Sequence, residues 1–132
     1  MEIKIKKLHP SAVIPKYATP GSAGFDFVAI EDVRFSPGET KLIKTGLSME
    51  IPIGYELQIR PRSGTSLKTG LRVANSPGTV DSDYRGEVCI IMTNTNNSLM
   101  DGLDYETAAI FVKKGDRIAQ GVIAPVIQAT FE

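Results

Sequence analysis

Leu47-Ser-Met-Glu-Ile-Pro-Ile-Gly-Tyr-Glu-Leu-Gln-Ile59 alternates apolar and polar residues on both sides of a Pro52-Ile-Gly54 turn. Leu47, Met49 and Ile51 stand against Ser48 and Glu50; Tyr55, Leu57 and Ile59 stand against Glu56 and Gln58. Successive side chains on a strand point to opposite faces, so each run offers one apolar face and one polar face. Both runs read as half-buried strands.

The same pattern extends in both directions. Gly and Pro punctuate the chain at Pro20-Gly21, Pro37-Gly38, Pro77-Gly78, Asp101-Gly102 and Lys114-Gly-Asp116. Val88, Ile90 and Met92 share one face of a further run. Residues 88–92 are apolar on both faces, and residues 118–126 partly so, which predicts strands buried on two sides, in the core or in a subunit interface. Residues 65–69 suit a short helix ended by Gly70. Short strands at regular intervals with turn signals between them predict an all-β sandwich or barrel. Thr95-Asn-Asn-Ser-Leu-Met-Asp-Gly-Leu-Asp104 is polar and turn-rich, and reads as an exposed loop.

A chain of 132 residues is one domain, spanning 1–132, with a modest core. Its formal net charge of zero argues against a broad nucleic-acid footprint. The N-terminal Met-Glu-Ile-Lys-Ile-Lys-Lys lacks the apolar stretch of a signal peptide, and no run of about 18 apolar residues suggests a membrane span. The lone Cys89 excludes an internal disulfide and a cysteine-cluster zinc site, and fits a reducing, cytoplasm-like compartment. His9 is the only histidine, which argues against a Ser-His or Cys-His catalytic pair and points to a surface position.

Four segments could carry chemistry. Pro61-Arg62-Ser63-Gly64-Thr65-Ser66 could bring backbone N–H groups, an arginine and a hydroxyl to an anion, or it could be a strand-to-helix turn with Ser63 as N-cap. Its spacing is not that of a Walker P-loop. Asn75-Ser-Pro-Gly-Thr-Val-Asp-Ser-Asp-Tyr-Arg-Gly-Glu-Val88 sets Asp81 and Asp83 two residues apart, on the same side if the segment is extended. The pair could hold a metal, one member could activate a water, or both could serve an Asx-rich turn. Asp26, in Ala23-Gly-Phe-Asp26, offers a carboxylate beside a permissive glycine. Gly115-Asp-Arg-Ile-Ala-Gln120 offers a turn, a local Asp116–Arg117 pair and a glutamine. Cys89 sits in an apolar run and reads as packed rather than nucleophilic.

Taken together and in this order, the segments resemble the motifs of the trimeric deoxyuridine triphosphatase (dUTPase) family. Ala23-Gly-Phe-Asp-Phe-Val-Ala29, Pro61-Arg-Ser-Gly-Thr-Ser66, Gly78-Thr-Val-Asp-Ser-Asp-Tyr-Arg-Gly86 and Gly115-Asp-Arg-Ile-Ala-Gln120 match its first four motifs across nearly the whole chain. The resemblance implies a distorted jelly-roll barrel, assembled as a homotrimer with three shared active sites. It implies magnesium-dependent hydrolysis of dUTP to dUMP and pyrophosphate by water attack on the α-phosphorus. Asp81 then stands where the family's water-activating carboxylate stands, and Tyr84 where a ring packs on deoxyribose and excludes a ribose 2′-hydroxyl. Asn75, Gly78, Thr79, Val80 and Cys89 would recognise uracil, largely through backbone groups. Arg62, Ser63 and the Gly64 N–H would hold phosphates, and Gln120 would contact the phosphate chain. Asp26 would hold a magnesium-bound water. The third motif would serve a site whose other motifs come from a neighbouring subunit.

The sequence departs from the family pattern in two main places and two smaller ones. The family continues through a flexible arm to a glycine-rich fifth motif, whereas this sequence stops at Gln128-Ala-Thr-Phe-Glu132; a site without that lid is expected to bind nucleotide and turn it over slowly. The stretch from Thr95 to Tyr105 is longer than the family's connection, with Leu99, Met100 and Leu103 as its apolar anchors. Thr65 and Gly121 replace residues that are usually a small and a bulkier apolar one. These departures keep a second reading in view, a dUTPase-fold binding module that senses nucleotide with little turnover. A dCTP deaminase of related fold fits the Asp81-Ser-Asp-Tyr84 and Arg62-Ser-Gly64 runs less well.

Overall fold

The computed structural model describes residues 1–97, 102 and 104–132. Along these residues run β1 (Lys4–Lys7), β2 (Phe25–Val28), β3 (Val33–Phe35), β4 (Thr40–Lys44), β5 (Leu47–Glu50), β6 (Tyr55–Arg60), the helix α1 (Ser63–Lys68), β7 (Leu71–Val73), β8 (Gly78–Val80), β9 (Cys89–Asn94), β10 (Ile110–Val112) and β11 (Arg117–Pro125). The class is all-β, as expected, with a distorted jelly-roll arrangement. The strands form a four-stranded sheet in the order β2-β11-β6-β8, a three-stranded sheet β4-β9-β7, and the pairs β1-β5 and β10-β3. Every pairing is antiparallel.

The two alternating runs around Pro52-Ile-Gly54 are β5 and β6, and they do not pair with each other. β5 pairs with β1, and β6 lies between β11 and β8. Gly54 takes φ +90°, which lets the Tyr55 N–H reach back to the Pro52 carbonyl at 3.1 Å and carries the chain from one sheet into another. The alternation still sets the core, because Leu47, Met49, Ile51, Leu57 and Ile59 are all buried.

β9 resolves the expectation of a run buried on both sides. Val88, Ile90 and Met92 enter the core, while Cys89 and Ile91 are only half-buried on the opposite face. β11, the second such run, lies inside its sheet between β2 and β6. A Cβ added to its Gly121 would lie 2.6 Å from Phe25, 2.7 Å from Phe27 and 2.9 Å from Leu57. Those two rings meet edge to face at 5.6 Å and fill the volume that a larger residue at 121 would need.

α1 begins two residues earlier than expected and ends at Lys68. Ser63 is not its cap: Arg62 holds that position and makes no side-chain cap bond. Thr69 closes the helix, its N–H and its hydroxyl both donating to the Thr65 carbonyl, at 3.0 and 2.8 Å. Gly70 is required for a different reason from the one expected, because a Cβ there would run into the Asn96 side-chain amide.

Asn94, fully buried at the end of β9, fixes the next segment. Its amide donates to the Phe35 and Ala108 carbonyls at 3.1 and 2.9 Å, and its Oδ1 accepts the Asn96 N–H at 2.9 Å. Thr95, Asn97, Gly102 and Asp104 are exposed, in keeping with a surface loop. Leu99, Met100 and Leu103 lie outside the described residues. Among the described residues, no helix is long and apolar enough to cross a membrane.

Candidate active site

The segment from Asn75 to Val88 leaves the four-stranded sheet at its edge. Among the described residues β8 pairs only with β6, with Gly78 opposite Ile59 and Val80 opposite Leu57. The approach at Gly78 is close, since a Cβ there would sit 3.0 Å from that of Ile59. Beyond Val80 the chain turns. The Tyr84 N–H donates to the Asp81 carbonyl at 3.1 Å, and Arg85 Nη1 donates to the Ser82 and Tyr84 carbonyls at 2.6 and 3.1 Å. Asp81 and Asp83 therefore flank a turn rather than share one side of an extended strand, which corrects that sequence expectation. The turn wins because a single guanidinium satisfies two of its carbonyls.

Between this segment and β4–β9 lies a cleft of about 320 Å³, lined by Leu42, Ile59, Asn75, Gly78, Thr79, Val80, Asp81, Tyr84, Glu87, Val88, Cys89 and Ile91. It is near the small end of small-molecule sites, where an apolar lining with a few polar groups is usual. All six residues expected to handle base and sugar line it, and so does Asp81. Asp81 also borders a second groove with Ile53, Tyr55, Glu56, Ser82, Asp83 and Val126, so its loop separates two concave surfaces. Burial pushes the Cys89 thiol above its ordinary pKa, and the Glu87 carboxylate raises it further. Cys89 is thus a protonated cleft wall rather than a core residue or a nucleophile.

Asp26, Arg62 and Gln120 form a separate cluster. Gln120 lies opposite Asp26 on one side and Arg60 on the other. Arg62 Nε donates to Asp26 Oδ1 at 2.9 Å, with both side chains about seven-tenths buried. Gln120 Nε2 donates to the Pro61 carbonyl at 2.9 Å, which ties β11 to the entry of α1. The Gln120 side chain packs against Gly24, where a Cβ would collide with it. Ser63 and Gly64 are exposed, and a Cβ at Gly64 would meet nothing within 4 Å, so the backbone there is open to a ligand. The expected Asp116–Arg117 pair does not form. Asp116 instead accepts the Lys113 N–H at 2.9 Å, and Arg117 reaches toward Asp26 at 3.9 Å. None of Asp26, Arg62, Ser63, Gly64 or Gln120 lines the cleft that holds Asp81.

The sequence reading left out Leu42, Ile59, Glu87, Val88 and Ile91 as cleft residues. Ile91 was accessible from period two, because it must share the face of Cys89 on β9. Leu42 needs the register, which sets it opposite Ile91.

An edge-strand cleft of small-molecule size, backed by a jelly-roll core and with an Arg–Asp–Gln cluster elsewhere on the sheet, marks an all-β protein of the jelly-roll class. The dUTPase family model matches residues 11–132, and the chain belongs to that family. It is 54% identical over 129 residues to the deoxyuridine 5′-triphosphate nucleotidohydrolase of Nautilia profundicola, covering 98% of this chain and 84% of that one. The corresponding protein of Helicobacter hepaticus is 50% identical over 131 residues, covering 99% of this chain and 77% of its own length. Among solved structures, a mutant dUTPase of phage phi11 of S. aureus, described with a coordinated structural Mg(II) ion, superposes with TM-score 0.91 at 26% identity, over 100% of this chain and 95% of that chain. A mutant Staphylococcus bacteriophage 80alpha dUTPase with dUpNHpp gives TM-score 0.90 at 28% identity, over 99% and 86%.

Proposed function

We propose that this chain hydrolyses dUTP to dUMP and pyrophosphate, with Asp81 activating the water that attacks the α-phosphorus. The supporting observation is the cleft, which gathers Asp81, Tyr84, Cys89, Asn75 and the β8 backbone around one space. The edge of β8 offers N–H and C=O groups to a pyrimidine ring, and Val80, Ile91 and Leu42 give its faces an apolar wall. In this reading the Tyr84 ring, which lines the cleft, packs on the deoxyribose and excludes a ribose 2′-hydroxyl. Asp81 orients a water and accepts its proton as the phosphorus–oxygen bond forms; pyrophosphate leaves.

In this reading Arg62, Ser63, the Gly64 N–H and Gln120 hold the phosphate chain of a nucleotide whose base lies in a neighbour's cleft. Two features favour a homotrimer with shared sites. The phosphate cluster and the Asp81 cleft do not meet within one chain. Ile53, Ile127 and Phe131 are 93, 96 and 93% exposed, and apolar side chains so exposed suit an interface.

Magnesium fits as a cation carried by the phosphates. Among the described residues, no three His, Cys, Asp or Glu side chains converge. Magnesium keeps several waters and binds phosphate oxygens readily, so it needs no protein cage. Asp26 could support one of those waters through Oδ2, which lies 3.9 Å from the Arg117 guanidinium. When bound, the ion would neutralise and orient the phosphates. A cytoplasmic place of action accompanies this reading.

Pyrophosphate release from dUTP tests the activity. Mixing Asp81→Asn chains with Arg62→Ala chains tests the shared site. Random trimers would recover intact sites in about a quarter of positions; no recovery after verified subunit exchange would refute sharing.

A further inference from the structure

Tyr84 is held by a tether. Its hydroxyl donates to the Glu87 carbonyl at 2.7 Å, closing a small loop in which the ring lies directly over Gly86. A Cβ on Gly86 would stand 2.5 Å from the Tyr84 oxygen, so the glycine leaves space for the ring. Glu87 is anchored in turn. Its Oε2 accepts the Gly46 N–H at 2.8 Å from the turn between β4 and β5. The next residue reinforces that anchor, as the Val88 N–H donates to the Leu47 carbonyl at 2.8 Å and the Val88 carbonyl accepts the buried Thr45 hydroxyl. Ser48 Oγ also donates to the Arg85 carbonyl at 2.6 Å. The aromatic wall of the cleft is thus fixed from the far side of the β4–β5 turn, where the Glu87 carboxylate links this loop to the Gly46 backbone.

We propose that Glu87 is a positioning residue that sets the Tyr84 ring and thereby the discrimination between deoxyribose and ribose nucleotides. The assignment rests on the reading of the cleft as the base and sugar site of dUTP. A ring that can swing by a fraction of an ångström no longer excludes a 2′-hydroxyl, because steric rejection falls steeply with small displacements. Glu87 itself need not touch the nucleotide: its carboxylate is engaged with the backbone of Gly46, and its carbonyl with Tyr84.

The test compares kcat/KM for dUTP and UTP in the full chain. Glu87→Ala should lower the dUTP:UTP selectivity about tenfold or more, chiefly by admitting UTP. Glu87→Gln should keep it, since the amide oxygen can still accept the Gly46 N–H. Tyr84→Phe cuts the same tether at its other end and should give a similar loss, and the double variant should lose no more than either single one. Unchanged selectivity in Glu87→Ala, with only the melting temperature lowered, would overturn the proposal. So would additive losses in the double variant, which would mean that Glu87 acts apart from Tyr84. If Glu87→Ala does not fold, unchanged selectivity in Tyr84→Phe overturns it equally. Tyr84→Ala separates the two levels. If that variant loses selectivity while Glu87→Ala does not, the positioning role alone fails; if Tyr84→Ala also keeps it, the sugar reading fails and the Glu87 role with it.

Discussion

Arg62 Nε donates to Asp26 Oδ1 at 2.9 Å, joining the entry of α1 to the middle of β2. The bond leaves the two terminal guanidinium nitrogens to face an anion while Nε keeps the plane of the group fixed. Asp26→Ala should therefore release Arg62 and, in the proposed function, also remove a support for magnesium. The expected outcome is a dUTP KM raised severalfold and a stability loss of about 1 kcal/mol, since both side chains retain some solvent contact. Steady-state kinetics at saturating magnesium and urea denaturation measure the two effects.

Asp81→Asn keeps the shape of the side chain and removes its basicity. It should lower kcat by roughly 10²–10⁴-fold and leave the Kd of a non-hydrolysable dUTP analogue nearly unchanged. Calorimetric titration beside a pyrophosphate assay checks both. Near-wild-type turnover would sink the assignment of Asp81 as base.

The Cys89 thiol is held protonated by burial and by the neighbouring Glu87 carboxylate. Because the thiolate is the reactive form, alkylation by iodoacetamide at pH 8 should be slower than for a free cysteine and should rise toward higher pH. A nucleotide in the cleft should slow it further. Mass spectrometry of labelling rates, with and without dUMP, measures this; equal rates in both would contradict the proposal that the cleft lined by Cys89 takes the nucleotide.

Gly121→Leu should destabilise the protein by about 1–3 kcal/mol, because the new side chain must displace Phe25, Phe27 and Leu57 from close contact. Phe25→Leu in the same chain should recover part of that loss by returning volume. Thermal melts of the single and double variants test the pairing.

Strand identity was legible because alternation is a local property. Leu47 to Ile59 declared two strands from side-chain order alone. Their partners were not legible: β5 and β6 are neighbours in sequence yet enter different sheets, a choice made by distant strands β1, β8 and β11. The site divided in the same way. Residues inside polar motifs, such as Asp81, Tyr84 and Arg62, could be singled out by type. Leu42 could not, because an apolar residue lining a cleft looks in sequence like one filling a core, and only the strand register sets it opposite Ile91. Ser63 misled for a local reason, since a serine before a helix reads as a cap, and here the helix simply starts on it.

β8 contains only Gly78, Thr79 and Val80, and it ends its sheet. An unpaired strand edge is ordinarily a hazard, a template on which a stray chain can stick and propagate. Here the exposed ladder is too short to seat another polypeptide well and is recessed in a cleft. Its length suits a single planar ring with complementary donors and acceptors. In the proposed function the nucleobase becomes the missing strand, and the sheet is completed by its substrate.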